Sequence, residues 1–266
     1  MPHAKLKSGQ RLYYEITGNG PPLLLIMGTG LDHSCWNLQI PTYSKHFKCI
    51  VFDNRGTGRS SHSKIDVTVK DMAQDTMELL DHIGIDSCHI SGLSLGSCIA
   101  QELALAIPSK VRSLQLHGTW SRTEGYAARK FRSQIRILET LSMREFYEIS
   151  MLWFLTPEYM ISHPEKVEER IESIVKSAPK REMLIAQYIA NLNHCSIDRI
   201  GKIKAPTLVT VGSDDTALPP LYSKETADAI PGAEFVIIDG SSHLHNTEQP
   251  ELFNKITLDF LFKIHD

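Results

Sequence analysis

Long apolar runs are missing from the start of this 266-residue chain. The longest there, PPLLLIMG at residues 21–28, falls far short of the ~20 residues a membrane-spanning helix needs. The opening MPHAKLKSGQ has no apolar core of the kind a secretory signal carries. Charge of one sign is lacking too. Lysine and arginine total 28 against 31 aspartates and glutamates, a formal net charge of -3, which gives neither nucleic acid nor an anionic membrane surface an electrostatic handle. Cysteine is sparse and odd in number: five residues, Cys35, Cys49, Cys88, Cys98 and Cys195, widely spaced and with no C-x-x-C pair. That pattern excludes a structural metal site of the usual spacing and leads us to expect reduced, mostly buried thiols in a cytoplasmic protein. No internal repeat and no low-complexity linker interrupts the chain.

What is present is an alternation. KLKSGQRLYYEITG reads as two short strands around a Ser-Gly turn. PPLLLIMG and KCIVFDNRG (48–56) read as strands buried on both faces. VTVKDMAQDTMELLDHIGI (67–85) has helical spacing and a glycine stop. SCHISGLS then gives a strand, LGSCIAQELALAIP a helix and VRSLQLHG (111–118) a strand. From about 119 to 199 no convincing strand occurs, and four segments show helical periodicity. The strands return with PTLVTVG (206–212) and EFVIID (234–239), with a helix between them and another to close. Such alternation predicts an α/β fold with a mainly parallel central sheet flanked by helices. The core is expected from 1–118 and 200–266, with 119–199 inserted as a helical lid above the sheet's C-terminal edge, where open α/β sheets bind ligands.

At one junction the alternation pinches. HISGLSLGSCIAQELA (89–104) passes from strand to helix through Gly-x-Ser-x-Gly, centred on Ser94. Two glycines so close to one serine suit a strained backbone that pushes the hydroxyl out of the turn, because side chains there would collide with the adjoining strand and helix. A serine hydroxyl needs a histidine base, itself oriented by a carboxylate, to become a nucleophile. Downstream, PTLVTVGSDDTALPP offers Asp214 and Asp215 after a strand, and EFVIIDGSSHLHNTEQPE offers His243 and His245 after the next. The order serine, acid, histidine, each in a loop following a strand, is that of an α/β-hydrolase.

On these motifs the chain resembles the α/β-hydrolase family nearly end to end outside the lid. It is most similar to small single-domain serine esterases, 3-oxoadipate enol-lactonases and aminoacrylate hydrolases. The shared segments are DNRGTGRS (53–60), GLSLGSCIAQELA and, loosely, TPEYMISHPEKVEERI. The resemblance implies an acid three residues past the strand-closing glycine, Asp215, and a base in a Gly-x-x-His loop ahead of EQPE, His243. It also implies an oxyanion hole built from the backbone N–H groups of Leu95 and Thr29. Met27-Gly28-Thr29 departs from the family's usual His-Gly-x, and Ser97 replaces a further glycine after the elbow. The expected activity is cleavage of a carboxylic ester or lactone of a small organic substrate through an acyl-enzyme, with no cofactor and no metal. A cofactor-free serine perhydrolase and a ligand receptor on the same fold are the alternatives.

Substrate contacts are expected from Gly28, Trp120, Tyr126 and His245. Asp53 with Arg55 reads as a structural ion-pair turn, and His117 as a hydrogen-bonded loop histidine. The basic patch ARKFRSQIR (128–136) reads as a solvated helix face. Arg129, Arg132 and Arg136 share one side of that helix; turned inward, a guanidinium there would suit a substrate carboxylate. The partner is a small molecule, and the sequence leaves monomer and homodimer both open.

Overall fold

The apolar runs form the centre of one eight-stranded sheet in the computed structural model, which describes residues 2–61 and 66–265. The strands are β1 (His3–Lys5), β2 (Arg11–Thr17), β3 (Pro22–Ile26), β4 (Lys48–Phe52), β5 (Cys88–Leu93), β6 (Val111–His117), β7 (Thr207–Gly212) and β8 (Glu234–Ile238). They lie side by side in the order β1-β2-β4-β3-β5-β6-β7-β8. From β4 onward all pairs are parallel, while β1 with β2 and β2 with β4 are antiparallel. Every residue of β5 and of β7 is buried, as parallel strands covered on both faces require.

The strand order explains where a ligand can enter. β3 lies between β4 and β5, yet the chain leaves β3 toward β4 and leaves β5 toward β6, on the opposite side. The loops after β3 and β5 therefore diverge and open a crevice at the carboxyl ends of those two strands.

Twelve α-helices and two short 3-10 helices, His33–Trp36 and Pro108–Lys110, complete the described residues. The α-helices are α1 (Ile40–Tyr43), α2 (Val69–His82), α3 (Leu95–Ala106), α4 (Gly125–Thr140), α5 (Met143–Phe154), α6 (Pro157–Ser162), α7 (Pro164–Ser177), α8 (Arg181–Asn193), α9 (Ile197–Ile200), α10 (Pro220–Ala229), α11 (His245–Glu248) and α12 (Pro250–His265). Reciprocal capping boxes start two of them. Thr68 and Asp71 form a reciprocal capping box at α2, and Ser142 and Glu145 do the same at α5. Helices α4 to α8 sit between β6 and β7, within the stretch expected to lack strands; α6, a short helix after Thr156, is one that helical periodicity alone did not separate.

These five helices are bolted to the loops at the sheet's carboxyl edge. Tyr147 Oη on α5 donates to the Gly30 carbonyl at 3.1 Å, and Gln187 Oε1 on α8 accepts from the Gly30 amide at 2.8 Å. Gln187 Nε2 also donates to Thr57 Oγ1, in the loop after β4. The Leu244 amide, after β8, donates to the Phe154 carbonyl at the end of α5. A single buried apolar cluster runs from strand residues such as Leu24 and Ile90 to Leu138, Phe146 and Leu184 in the inserted helices.

Candidate active site

Ser94 follows β5 directly and is the only non-glycine residue with positive φ among the described residues, at φ 55° and ψ -122°. The flanking glycines make that geometry possible. A Cβ on Gly92 would lie 2.3 Å from the Gly96 carbonyl oxygen, and one on Gly96 would lie 2.1 Å from the Ile26 carbonyl oxygen. Both are backbone contacts that cannot yield, so the motif needs glycine at both places. The Ser94 amide is held by the His117 carbonyl at 2.8 Å. Ser97, at the position where resemblance suggested glycine, uses its hydroxyl on the Ser94 carbonyl and contacts Thr119 Oγ1 at 2.7 Å.

Asp215 follows β7 and His243 follows β8. His243 Nδ1 donates to Asp215 Oδ2 at 2.7 Å, and the other carboxylate oxygen accepts the Leu218 amide at 2.8 Å. Both side chains are almost wholly buried. Asp214, next door, is exposed, and its carboxylate accepts from the Ser213 hydroxyl. The imidazole of His243 stacks on Phe154, centroids 5.5 Å apart. Behind the pair lies Gly118 at φ 54°, where a Cβ would come within 3.0 Å of the His243 ring. Sequence reasoning passed over that glycine as a strand end.

Ser94 and His243 open onto one cavity, lined also by Gly28, Thr29, Leu31, Leu93, Lys130, Phe131, Phe154, Tyr188, Ala217, Leu218 and Leu244. No hydrogen bond joins Ser94 Oγ to His243 among the described residues; in free enzymes such bonds are often long and tighten when substrate arrives. Leu95 is the first residue of α3, so its N–H lacks an intrahelical partner. Thr29 lines the cavity, and its hydroxyl accepts from Asn191 Nδ2 on α8 at 2.9 Å. The arrangement presents a hydroxyl, an imidazole held by a carboxylate, and the start of a helix around one apolar space.

Residues 21–250 match the family described as alpha/beta hydrolase fold. This chain belongs to that family. One relative, from Azorhizobium caulinodans, is named "Putative carbamate hydrolase RutD"; it is 31% identical over 253 residues, covering 95% of this chain and 96% of the relative. Among solved structures, an enol-lactonase from Burkholderia xenovorans superposes with a TM-score of 0.91 at 28% identity, over 98% of this chain and 100% of that one. A thermophilic esterase from Thermogutta terrifontis gives a TM-score of 0.90 at 28% identity, over 100% of this chain and 99% of that one.

Several expected contacts of this hydrolase lie elsewhere. Trp120 is fully buried against Phe131 and His194 and does not reach the cavity, because Phe131 takes the lining position in front of it. Tyr126, at the exposed start of α4, donates its hydroxyl to the Thr216 carbonyl instead. His245 is not a cavity wall. Its Nδ1 donates to the His243 carbonyl, and its Nε2 accepts from Thr210 Oγ1, which accepts from His117 Nδ1; His117 Nε2 in turn accepts from Ser91 Oγ. Burial pushes His245 down to about 4 and His117 well below its ordinary value, so both stay neutral, as this chain of bonds requires. Gly28 does line the cavity, and a Cβ there would lie 3.0 Å from that of Ser94. The expected Asp53–Arg55 pair is also replaced. Arg55 binds Asp75 of α2 through two hydrogen bonds, and Asp53 takes His33 and the Arg59 amide.

The charge at the cavity comes from a residue that sequence reasoning missed. Arg129, Arg132 and Arg136 are exposed on the outer side of α4, whereas Lys130 is buried and lines the cavity. Its Nζ stands 4.5 Å from the Trp153 ring centroid and 5.5 Å from that of Phe154. Burial lowers it to about 7, partly opposed by the charge of Asp215. The signal was available: Ala127, Phe131, Gln134 and Leu138 form the buried stripe of α4, and position 130 lies on it rather than opposite.

Proposed function

We propose that this hydrolase cleaves a carboxylic ester or lactone of a small organic substrate, with Ser94 as nucleophile, His243 as general base and acid, and Asp215 as the group that orients His243. The observation that carries the reading is the strained Ser94 turn opening onto the same cavity as an imidazole bonded to a buried carboxylate. Ser94 Oγ attacks the carbonyl carbon while His243 Nε2 accepts its proton. Asp215 keeps Nδ1 protonated and stabilises the imidazolium that results. The N–H groups of Leu95 and Thr29 receive the negative charge developing on the carbonyl oxygen. The imidazolium then gives its proton to the departing alcohol, and a water molecule activated by His243 releases the acid from Ser94. Helices α4 to α8 act as the lid, and what they present to the cavity sets the substrate.

The relatives at about the same identity, named for carbamate hydrolysis, support a second reading in which the carbonyl attacked belongs to a carbamate. The same residues would serve, since both reactions pass through an oxyanion on a carbonyl carbon. Intact-mass labelling with a fluorophosphonate tests the nucleophile, and multiple turnover of 4-nitrophenyl butyrate against a matched carbamate ester ranks the two bonds. One label on the wild type and none on Ser94→Ala is the expected result, with turnover reduced roughly 10³-fold or more in the variant. Equal turnover by a folded Ser94→Ala protein would overturn the assignment, and labelling without turnover would favour a receptor.

A further inference from the structure

Lys130 is the only lysine, arginine, aspartate or glutamate among the cavity-lining residues. A lysine on an amphipathic helix ordinarily extends its stem and leaves the ammonium in water, as the exposed positions of Arg129 and Arg132 on the same helix would allow. Lys130 does the opposite: the residue is only 8% exposed, and its ammonium lies over two aromatic faces. Those rings offer electrostatic attraction but no strong acceptor for its three N–H donors. No hydrogen bond or ion pair to Lys130 Nζ occurs among the described residues. The acid whose charge it feels is Asp215, and both Asp215 oxygens are occupied, by His243 and by the Leu218 amide. An ammonium on a largely buried side chain with no counterion is costly, and a protein retains one where something supplies the anion.

We propose that the Lys130 ammonium is the subsite for a carboxylate carried by the substrate, so that the hydrolase acts on small anionic esters or lactones; this rests on the ester or lactone reading above. The chemistry of the walls selects the anion. One ammonium in a cavity whose other lining residues are uncharged or belong to the proposed catalytic set, with apolar walls such as Leu31, Phe131 and Leu218, matches a singly charged carboxylate. A phosphate dianion is better matched by a guanidinium fork or paired cations, and the lining holds one lysine and no arginine. Lys130 and His243 both pack on the Phe154 ring, so the carboxylate and the reacting carbonyl share one wall and are joined by a short chain.

The test compares the 4-nitrophenyl monoester of adipate, which keeps a free carboxylate, with the same ester whose far end is an amide. Three proteins are assayed: wild type, Lys130→Met and Lys130→Arg. For the wild type, kcat/KM favours the charged ester. In Lys130→Met the charged-to-neutral ratio falls roughly 10- to 100-fold, the loss lying mainly in KM. Lys130→Arg, which keeps the charge, recovers a preference. The same ratio in the wild type falls as pH rises through about 7, where the ammonium deprotonates. His243, Asp215 and the Tyr188 phenol that also lines the cavity all remain in Lys130→Met, so the part of the pH dependence assigned to Lys130 is the difference between the wild-type ratio and that of Lys130→Met. A ratio that Lys130→Met leaves unchanged overturns the proposal while neutral-ester turnover keeps the hydrolase reading. Where neither ester is turned over, the hydrolase reading fails, and thermal shift with butyrate against butyramide still decides. Stabilisation of wild type by butyrate alone, lost in Lys130→Met, supports the carboxylate subsite; equal responses sink it.

Discussion

At the scale of single residues, neighbours in sequence have different fates. Asp214 and Asp215 carry the same functional group, but only Asp215 is buried and bonded to the His243 ring. Asp215→Asn keeps the size while removing the acceptor that fixes the imidazole tautomer, so kcat is expected to drop by roughly 10³- to 10⁴-fold. Asp214→Asn, on the exposed side, is expected to stay within a few-fold of wild type. Steady-state rates on one ester compare them, and a reversed ranking would refute the role given to Asp215. Lys130 makes a prediction about stability. Its folded value of about 7 lies below the unfolded reference of ~10.4. The unfolded chain therefore binds more protons between those limits, and stability due to this group rises with pH across them. The cost of the buried charge is complete below about pH 7 and gone above ~10.4. Lys130→Met is thus expected to raise the unfolding free energy from urea titrations most at pH 6, by an amount on the order of a few kcal/mol, and much less at pH 9.5. Equal shifts at the two pH values would show that the charge is not what burial makes costly.

Elements carry these residues by their ends, and the ends are where backbone constraints become visible in sequence. Gly118 closes β6 in a left-handed conformation with the His243 ring packed where a side chain would go. Gly118→Ala is expected to displace the ring by a few tenths of an ångström or more, and to strain its own backbone. Activity should fall by roughly tenfold or more, with fluorophosphonate labelling of Ser94 slowed in parallel; unchanged labelling would mean the ring has room to spare. The Ser94 elbow was legible for the same kind of reason. Gly92 and Gly96 are dictated by carbonyl oxygens that no side chain can move, so the motif is written in the chain itself. The central strands were legible because burial on both faces leaves continuous apolar runs. The inserted helices were legible only as helices. Periodicity gives a helix two faces without saying which loop lies opposite, so Trp120 and Tyr126 looked open to substrate when Phe131 and Thr216 take their contacts. Lys130 was obscured by its arginine neighbours, since a charged residue on the edge of an apolar stripe can turn either way.

At the scale of the whole molecule, the inserted helices and the sheet share one apolar cluster and a set of buried polar ties. Gln187 is the most connected of these. Fully buried on α8, it accepts from the Gly30 amide and donates to Thr57 Oγ1 and the Arg55 carbonyl, joining the insertion to the loops after β3 and β4. An insertion held this way has no core of its own to fall back on, so insertion and sheet are expected to unfold together in one cooperative transition. Gln187→Ala removes the acceptor of a buried amide and leaves a cavity beside it, for an expected loss of about 2–4 kcal/mol. In a chain of this size each kcal/mol moves the midpoint by roughly 2–4 °C, so the single transition should shift down without splitting. The Gly30 amide belongs to the loop that also carries Thr29, so loosening it should slow Ser94 labelling at temperatures where the variant is still fully folded. Calorimetry with the labelling rate measured in parallel checks both consequences. Two separated transitions in the variant would mean that the insertion is a domain in its own right. A shifted midpoint with an unaltered labelling rate would mean that the loop after β3 keeps its shape without α8.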